Sequence, residues 1–300
     1  MTAQVPAPID VIAHYNLLER LEPSGPGALY RARDTRLGRT VAVRVLPQNF
    51  PFSEARTALA RDVSTRPHPN VTTLFDIGER DGRVYLVFEL QTGQSVRAAA
   101  AGRPMNARRA VEVAIQIADA VADAHAHERT HSGLSPDTVV ISAKGRVKIP
   151  AFDLAVQSGF DASRDDGGLL DYDSPEEARG VPQDDRSDVY SVGAILYEAL
   201  TTRRPMHRGA SAPSASNAKV PPELDEVVLK SLMPNPDARY QSAVGLTAAL
   251  RGSLATVDAR GAASDATGAV QARSTSVGRV AVTAGATLLA AAVLAWWFWG

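Results

Sequence analysis

The sequence predicts an α+β chain: a strand-rich N-terminal part, a helical part after it, then a polar stretch and one apolar C-terminal helix. Three observations predict it. Short runs of β-branched and aromatic residues, punctuated by turn residues, fill residues 15–90. From Asn106 onward, apolar residues recur at helical spacing. Val280 to Gly300 carries no charged residue.

In the first part, Leu29 to Ala32 and Val41 to Val45 read as strands on either side of the turn residues Asp34 to Gly38. Residues 51–61 read as a short helix, and Val84 to Glu89 as a nearly continuous apolar strand. Gly93 then marks a hinge. Asn106 is a natural N-cap, followed by Val111, Ala114, Ile115, Ala118, Val121 and Ala122 at the helical period. A second helix is predicted to begin near Ser187. Its residues Val189, Val192, Ile195, Leu196, Ala199 and Leu200 make an apolar face wide enough for burial. Further helices are predicted at residues 223–233 and 241–251.

Residues 252–278 are rich in Ala, Ser, Thr and Gly, with few large apolar side chains, and read as a flexible tether. As a coil it would span about 25–30 Å root-mean-square. The segment 279–300 is long enough to cross a hydrocarbon core of about 30 Å as a helix. Trp296, Trp297 and Trp299 cluster at one end like an aromatic belt, while Arg273 and Arg279 lie at the other. By the positive-inside rule the folded part is expected in the cytoplasm, anchored by a single pass in the inner membrane. Ala281 and Gly285 have small-xxx-small spacing that would suit a helix homodimer.

Composition excludes several classes. A net charge of −1 provides no bulk field for nucleic acid. With no cysteine there is no disulfide framework, thiol nucleophile or thiolate metal site. Residues 1–10 lack a basic stretch followed by an apolar one, so no cleaved signal peptide is expected there.

Motifs carry more than composition. Tyr30-Arg31-Ala32-Arg33-Asp34 leads into Val41-Ala42-Val43-Arg44, and Glu54 follows. His68-Pro69-Asn70 and Phe88-Glu89-Leu90 come next, then His131-Ser132-Gly133-Leu134-Ser135-Pro136-Asp137-Thr138 and Ile149-Pro150-Ala151-Phe152-Asp153. After them stand Ser174-Pro175-Glu176, Asp185-Arg186-Ser187-Asp188-Val189-Tyr190 and Asn235-Pro236-Asp237-Ala238-Arg239-Tyr240. In this order and spacing, residues 15–250 resemble a two-lobed protein kinase of the bacterial membrane-anchored Ser/Thr type. The resemblance implies an N-lobe at 15–90, a hinge at 89–94, a C-lobe at 95–251 and an N-terminal tail at 1–14.

The chemistry is missing from these frames. The family's catalytic loop reads H-R-D-L-x-x-x-N and its metal motif D-F-G. Here Gly133 stands at the base position, Ser135 three residues before Thr138, Thr138 at the Asn position and Ala151 at the metal Asp position. Gly and Ala have no group to accept a proton or hold a cation, so no catalytic residue and no metal site is expected. Asp153 and Asp137 are the carboxylates nearest the lost positions. The glycine-rich phosphate loop is degenerate too, with Glu22 and Ser24 at two of its positions and Gly27 at the third. Arg44 replaces the family's phosphate Lys, a planar fork in place of a compact ammonium, and could pair with Glu54.

What the resemblance leaves in place is an adenine pocket: Leu29, Ala42 and Val140 at apolar positions, with hinge backbone near Glu89 and Gln91. It also implies a structural set of Glu176, Asp188 and Arg239, the last pairing with Glu176. Ser132 replaces the Arg that reads a phosphorylated activation loop. No Thr lies between Ala151 and Pro175, and residues 208–219 are a shortened Ser/Ala/Pro run where such kinases carry a docking helix. The expectation is therefore a membrane-tethered pseudokinase that works by binding another protein, such as an active kinase or another signalling protein. Its only expected cofactor is ATP or ADP held without Mg²⁺. Two alternatives stand beside it: an atypical, weakly active Ser/Thr kinase using Arg44 and Asp153, and a nucleotide-binding switch without turnover.

Overall fold

The computed structural model describes residues 10–21, 27–48, 50, 65, 67–131, 133–149, 172–206 and 209–260. The helix expected at 51–61, the metal-motif segment and the apolar segment at 279–300 lie outside them.

Strands β1 (Asp10–Ile12), β2 (Tyr15–Leu21), β3 (Ala28–Asp34), β4 (Arg39–Val45), β5 (Leu74–Arg80) and β6 (Arg83–Glu89) form one sheet in the order β1-β2-β3-β4-β6-β5. Every pairing in it is antiparallel. β1 falls within residues 1–14, expected to be a tail; a three-residue strand is too short to show alternation in the sequence. The β3–β4 turn forms where Asp34 can satisfy it. The Asp34 carboxylate accepts the Arg36 and Leu37 amides, each at 3.0 Å, and its carbonyl accepts the Gly38 N–H at 2.9 Å. Gly38 takes the left-handed conformation that closes the turn. Those bonds, with Arg39 at 3.5 Å, allow a carboxylate that is only 1% exposed.

Register divides the sheet into two faces. Tyr15, Leu17, Ala32, Val41, Val43, Tyr85 and Val87 pack together on one. Leu74 and Leu86 pack with Leu46 and Phe50 on the other. Leu29 stands opposite Arg44, and Arg44 opposite Leu86, while Ala42 stands opposite Phe88. Directly paired residues share a face, as do residues two apart. Leu29, Ala42 and Arg44 therefore lie on the second face.

Beyond the hinge come β7 (Gln94–Ser95), α1 (Val96–Ala100), α2 (Ala107–His125), β8 (Val140–Ile141) and β9 (Val147–Lys148). The three short strands form a second sheet, β7-β8-β9. Gly93 is required there, because a Cβ would come within 2.3 Å of the Ile141 carbonyl. Ser95 and Asn106 cap α1 and α2 through side-chain bonds to the Ala98 and Arg109 amides, at 3.1 and 3.3 Å.

Helix α3 (Asp185–Thr201) begins slightly before the expected start, capped by Asp184, whose carboxylate accepts the Arg186 amide at 2.8 Å. Every residue from Ser187 to Thr201 is buried, so α3 is the central pillar of the helical lobe and not merely one apolar face. It packs on α4 (Pro222–Ser231) so closely that a Cβ on Gly193 would meet the Ser231 Cβ at 2.6 Å.

The last helix, α5, occupies residues 243–260, and this corrects the expected tether boundary at 252. Leu254 and Val257 continue the spacing of Leu246 and Leu250. Buried Ser253 donates to the Ala249 carbonyl at 3.1 Å, so a backbone rich in small residues is held in the helix. The chain divides into a compact unit ending at Leu254 and a second unit from Ala255 onward. Among the described residues no helix is long and apolar enough to cross a membrane.

Candidate functional site

The loop after α2 is fixed by one buried carboxylate. Asp188 on α3, 2% exposed, accepts the His131 amide at 2.7 Å and meets His125 Nε2 at 2.8 Å. This fixes the backbone at His131, where the loop begins. Within that frame Gly133 supplies no side chain. Thr138 closes on Ser135: its hydroxyl donates to the Ser135 carbonyl at 3.1 Å and accepts the Ser135 N–H at 3.2 Å. The Thr138 amide donates to Ser135 Oγ at 3.3 Å. Both hydroxyls are thus engaged within their own turn.

Family resemblance implies a divalent cation between this loop and the metal motif, and of those two positions only Thr138 is described. The Thr138 hydroxyl is occupied, and no cluster of His, Cys, Asp or Glu among the described residues could hold a metal. Ala151 and Asp153 lie outside the described residues, as do Ser132, Glu22 and Ser24. Gly27 is described. It has a positive φ of 82°, and a Cβ would strike the Val45 carbonyl at 2.1 Å, so this glycine is needed for strand packing.

Asp137, a candidate substitute base in the sequence, is engaged elsewhere. Arg97 on α1 donates from Nε to Asp137 at 2.8 Å and from Nη2 to the Tyr172 hydroxyl at 2.6 Å, and its Nη1 forms an ion pair with Glu198 at 2.7 Å. The Tyr172 hydroxyl in turn donates to Glu198. Burial is the largest influence on the Tyr172 phenol and pushes it up, with Glu198 reinforcing that direction. No sequence pattern announces this quartet, because its members are scattered and follow no period.

The three structural residues occupy two fasteners. Asp188 anchors the loop. Glu176 receives Arg239 through Nη1 at 2.6 Å and Nη2 at 2.7 Å, and the Ser187 hydroxyl at 2.8 Å. Arg239 also donates to the backbone carbonyls of Met233 and Arg186, at 2.7 and 2.9 Å.

The nucleotide candidates are spread over β3, β4, the hinge and β8. Ala42 is buried, and Leu29, Arg44 and Val140 are half-buried. Burial pushes the Arg44 guanidinium below its ordinary value; Glu54, its expected partner, is outside the described residues. At the hinge, Gln91 Nε2 donates to the Glu89 carbonyl at 3.4 Å. The Glu89 carboxylate pairs with Lys148 on β9 at 2.7 Å, and Lys148 also donates to the Val71 carbonyl at 3.0 Å. Burial pushes the Glu89 carboxyl up, but Lys148 and Thr73 outweigh it, and the net direction is down. Val140 faces Lys148 on one side and Ser95 on the other. The sequence reading missed Lys148. It ties the hinge to the C-lobe, together with bonds from Thr72 N–H to the Ile149 carbonyl and Ile149 N–H to the Asn70 carbonyl, at 2.9 and 2.8 Å.

A six-stranded antiparallel lobe, a hinge and a helical lobe built on a buried pillar define the two-lobed protein kinase fold. Residues 20–246 match the protein kinase domain family, and the chain belongs to it. Among curated relatives it is 34% identical to the serine/threonine-protein kinase PknB of Mycolicibacterium smegmatis over 263 residues, covering 79% of this chain and 42% of the relative. It is 28% identical to the serine/threonine-protein kinase PrkC of Bacillus subtilis over 262 residues, covering 80% of this chain and 40% of that one. The chain thus spans about two fifths of the length of these relatives. Among solved structures, a point mutant of the Mycobacterium tuberculosis PknI kinase domain superposes with a TM-score of 0.67 at 21% identity, covering 84% of this chain and 99% of that one. That likeness concerns the fold alone.

Proposed function

We propose that this chain is a catalytically deficient member of the protein kinase family, tethered to the inner membrane by residues 279–300 with its folded part in the cytoplasm. It acts by binding another protein, an active kinase or another signalling component, as scaffold or allosteric partner. The observation that carries this reading is the state of the catalytic loop. Its backbone is held in place by Asp188, yet Gly133 offers no base and the Thr138 hydroxyl is spent on Ser135. Phosphoryl transfer needs metal-bound phosphates and an oriented hydroxyl. Loss of a general base alone costs about 10²–10⁴ in rate.

The decisive measurement is transfer of labelled phosphate from Mg-ATP by the full chain, to itself and to a generic basic protein. No incorporation above a no-enzyme control is expected. Incorporation abolished by Asp153→Ala would sink this reading in favour of an atypical kinase.

A further inference from the structure

We propose that the β8–β9 hairpin and the first turn of α2 form a cationic face that lies against an anionic phospholipid leaflet, with Arg109, Lys144 and Arg146 as its contacts. The proposal rests on the reading that residues 279–300 tether this chain to the membrane, and it names the surface that meets the lipid.

The hairpin is a fixed platform. Its Ser142 N–H donates to the Arg146 carbonyl and its Gly145 N–H to the Ser142 carbonyl, each at 2.9 Å. The Arg146 amide donates to Ser142 Oγ at 3.0 Å. Gln116 fastens the hairpin to α2: its Nε2 donates to the Gly145 carbonyl at 3.1 Å and its Oε1 accepts the Val147 amide at 2.9 Å. Gly145 takes a positive φ of 81°, and a Cβ there would come within 2.5 Å of Arg109 Nη1. The Arg109 guanidinium therefore lies on the hairpin tip, between Lys144 and Arg146 in the chain.

Three cations thus gather in one place without a counter-charge. Lys144 and Arg146 are exposed and Arg109 is half-buried. Among the described residues none of these three side chains has a hydrogen-bond or ion-pair partner. Glu112 and Asp119, the carboxylates of α2 nearest in sequence, are already paired, with Arg108 at 3.0 Å and Arg251 at 2.9 Å. The whole chain carries a net charge of only −1, so this face is a local feature and not a bulk property. Residues 141–148 include no aromatic side chain on which a nucleic-acid base could stack. Separate cations on a turn suit an extended anionic surface, where each meets its own headgroup. Each Lys or Arg beside an anionic leaflet contributes about fivefold to such a contact. A tether on the same chain holds the face at high effective concentration, so three contacts of that size suffice.

The chain has no cysteine, so Ala143→Cys supplies a single labelling site on the exposed tip. The full chain, with a fluorescent donor at that site, is reconstituted into phosphatidylcholine vesicles containing an acceptor lipid, with and without phosphatidylglycerol. Energy transfer should be higher in the anionic vesicles and should fall to the neutral level in concentrated NaCl. Arg109→Gln together with Arg146→Gln should lower the contact equilibrium about twenty-five-fold, about fivefold for each charge. Arg109→Lys together with Arg146→Lys should keep it, because charge is what the leaflet reads. Melting curves check that the variants fold; where the glutamine pair does not, the lipid and salt dependence of the labelled parent chain decides. Equal transfer in neutral and anionic vesicles overturns the proposal, as does transfer that ignores salt or survives in the folded glutamine variant. Displacement by glycerol phosphate beyond that by NaCl at equal ionic strength would make this a discrete phosphate site and also overturn the proposal. An alkaline carbonate wash of the same vesicles separates the two claims. A retained chain whose transfer ignores phosphatidylglycerol keeps the anchor and rejects the docking face. An extracted chain that showed anionic-dependent transfer before the wash rejects the anchor and keeps the face.

Discussion

Arg239 and Glu176 meet as a bidentate pair, with N···O distances of 2.6 and 2.7 Å. Arg239 is only 2% exposed and Glu176 6%. The pair joins the segment before α3 to the turn before α5, and Ser187 draws α3 into the same knot.

Breaking this pair from one side strands a buried charge. Arg239→Ala is expected to cost about 3–5 kcal/mol of stability, read by urea unfolding. Glu176→Gln in the Arg239→Met background should cost less than the two single changes added together, since neither charge is then left alone. Additive losses would contradict the pairing.

Neighbouring Glu176 and Glu177 should shape the pH dependence in opposite senses. Burial alone pushes the Glu176 carboxyl up. Arg239, its own backbone amide, Ser187 and Ser174 outweigh burial and bring it down to about 2. A depressed folded value gives stability that is present above the unfolded value near 4.5 and lost as pH falls toward 2. For Glu177 burial prevails, with Asp173 and Asp188 adding to it against the Ser174 amide, and the carboxyl is pushed up to about 7. A raised value favours the protonated folded state, so its contribution is full below about 4.5 and is lost as pH rises to about 7. Burial likewise raises Asp173 to about 6. The melting temperature should therefore fall between about pH 5 and 7.5, and Glu177→Gln should flatten that fall. An unchanged slope in the variant would assign the effect elsewhere.

Nucleotide binding should not depend on Mg²⁺. Thr138 is engaged with Ser135, and Arg44 lies on the second sheet face with Leu29 and Ala42. Binding would then come mainly from adenine against Leu29, Ala42 and Val140. ATP, ADP and adenosine are expected to bind alike, at ~10⁻⁴ M or weaker, about −5.5 kcal/mol. Tightening of ATP by tenfold or more on adding Mg²⁺ would reveal a cation site, with Asp153 the first residue to replace.

The apolar segment should fix location. The full chain is expected to stay with the membrane through an alkaline carbonate wash, and a chain ending at Arg260 to leave it. A reporter fused after Gly300 should lie on the non-cytoplasmic side. Recovery of the full chain in the carbonate supernatant would remove the anchor from the proposal.

Local patterns determined much of this protein from the sequence alone. Alternation in Val41 to Val45, the turn chemistry of Asp34 and Gly38, the Asn106 cap and the apolar spacing on α3 depend on neighbours a few residues away, so they are legible in one dimension. Motif order made the two lobes legible as well. Tertiary structure decided what distant side chains do. Arg97, Asp137, Tyr172 and Glu198 converge only because α1, the catalytic loop and α3 pack together. Lys148 reaches Glu89 only because β9 runs beneath the hinge. Helix α5 passes its expected end at 251, where Ser253 is buried and donates to the Ala249 carbonyl. An ion pair across some tens of residues leaves no period in a sequence. Its energy depends on burial and on the angle of approach, and both are properties of the folded chain.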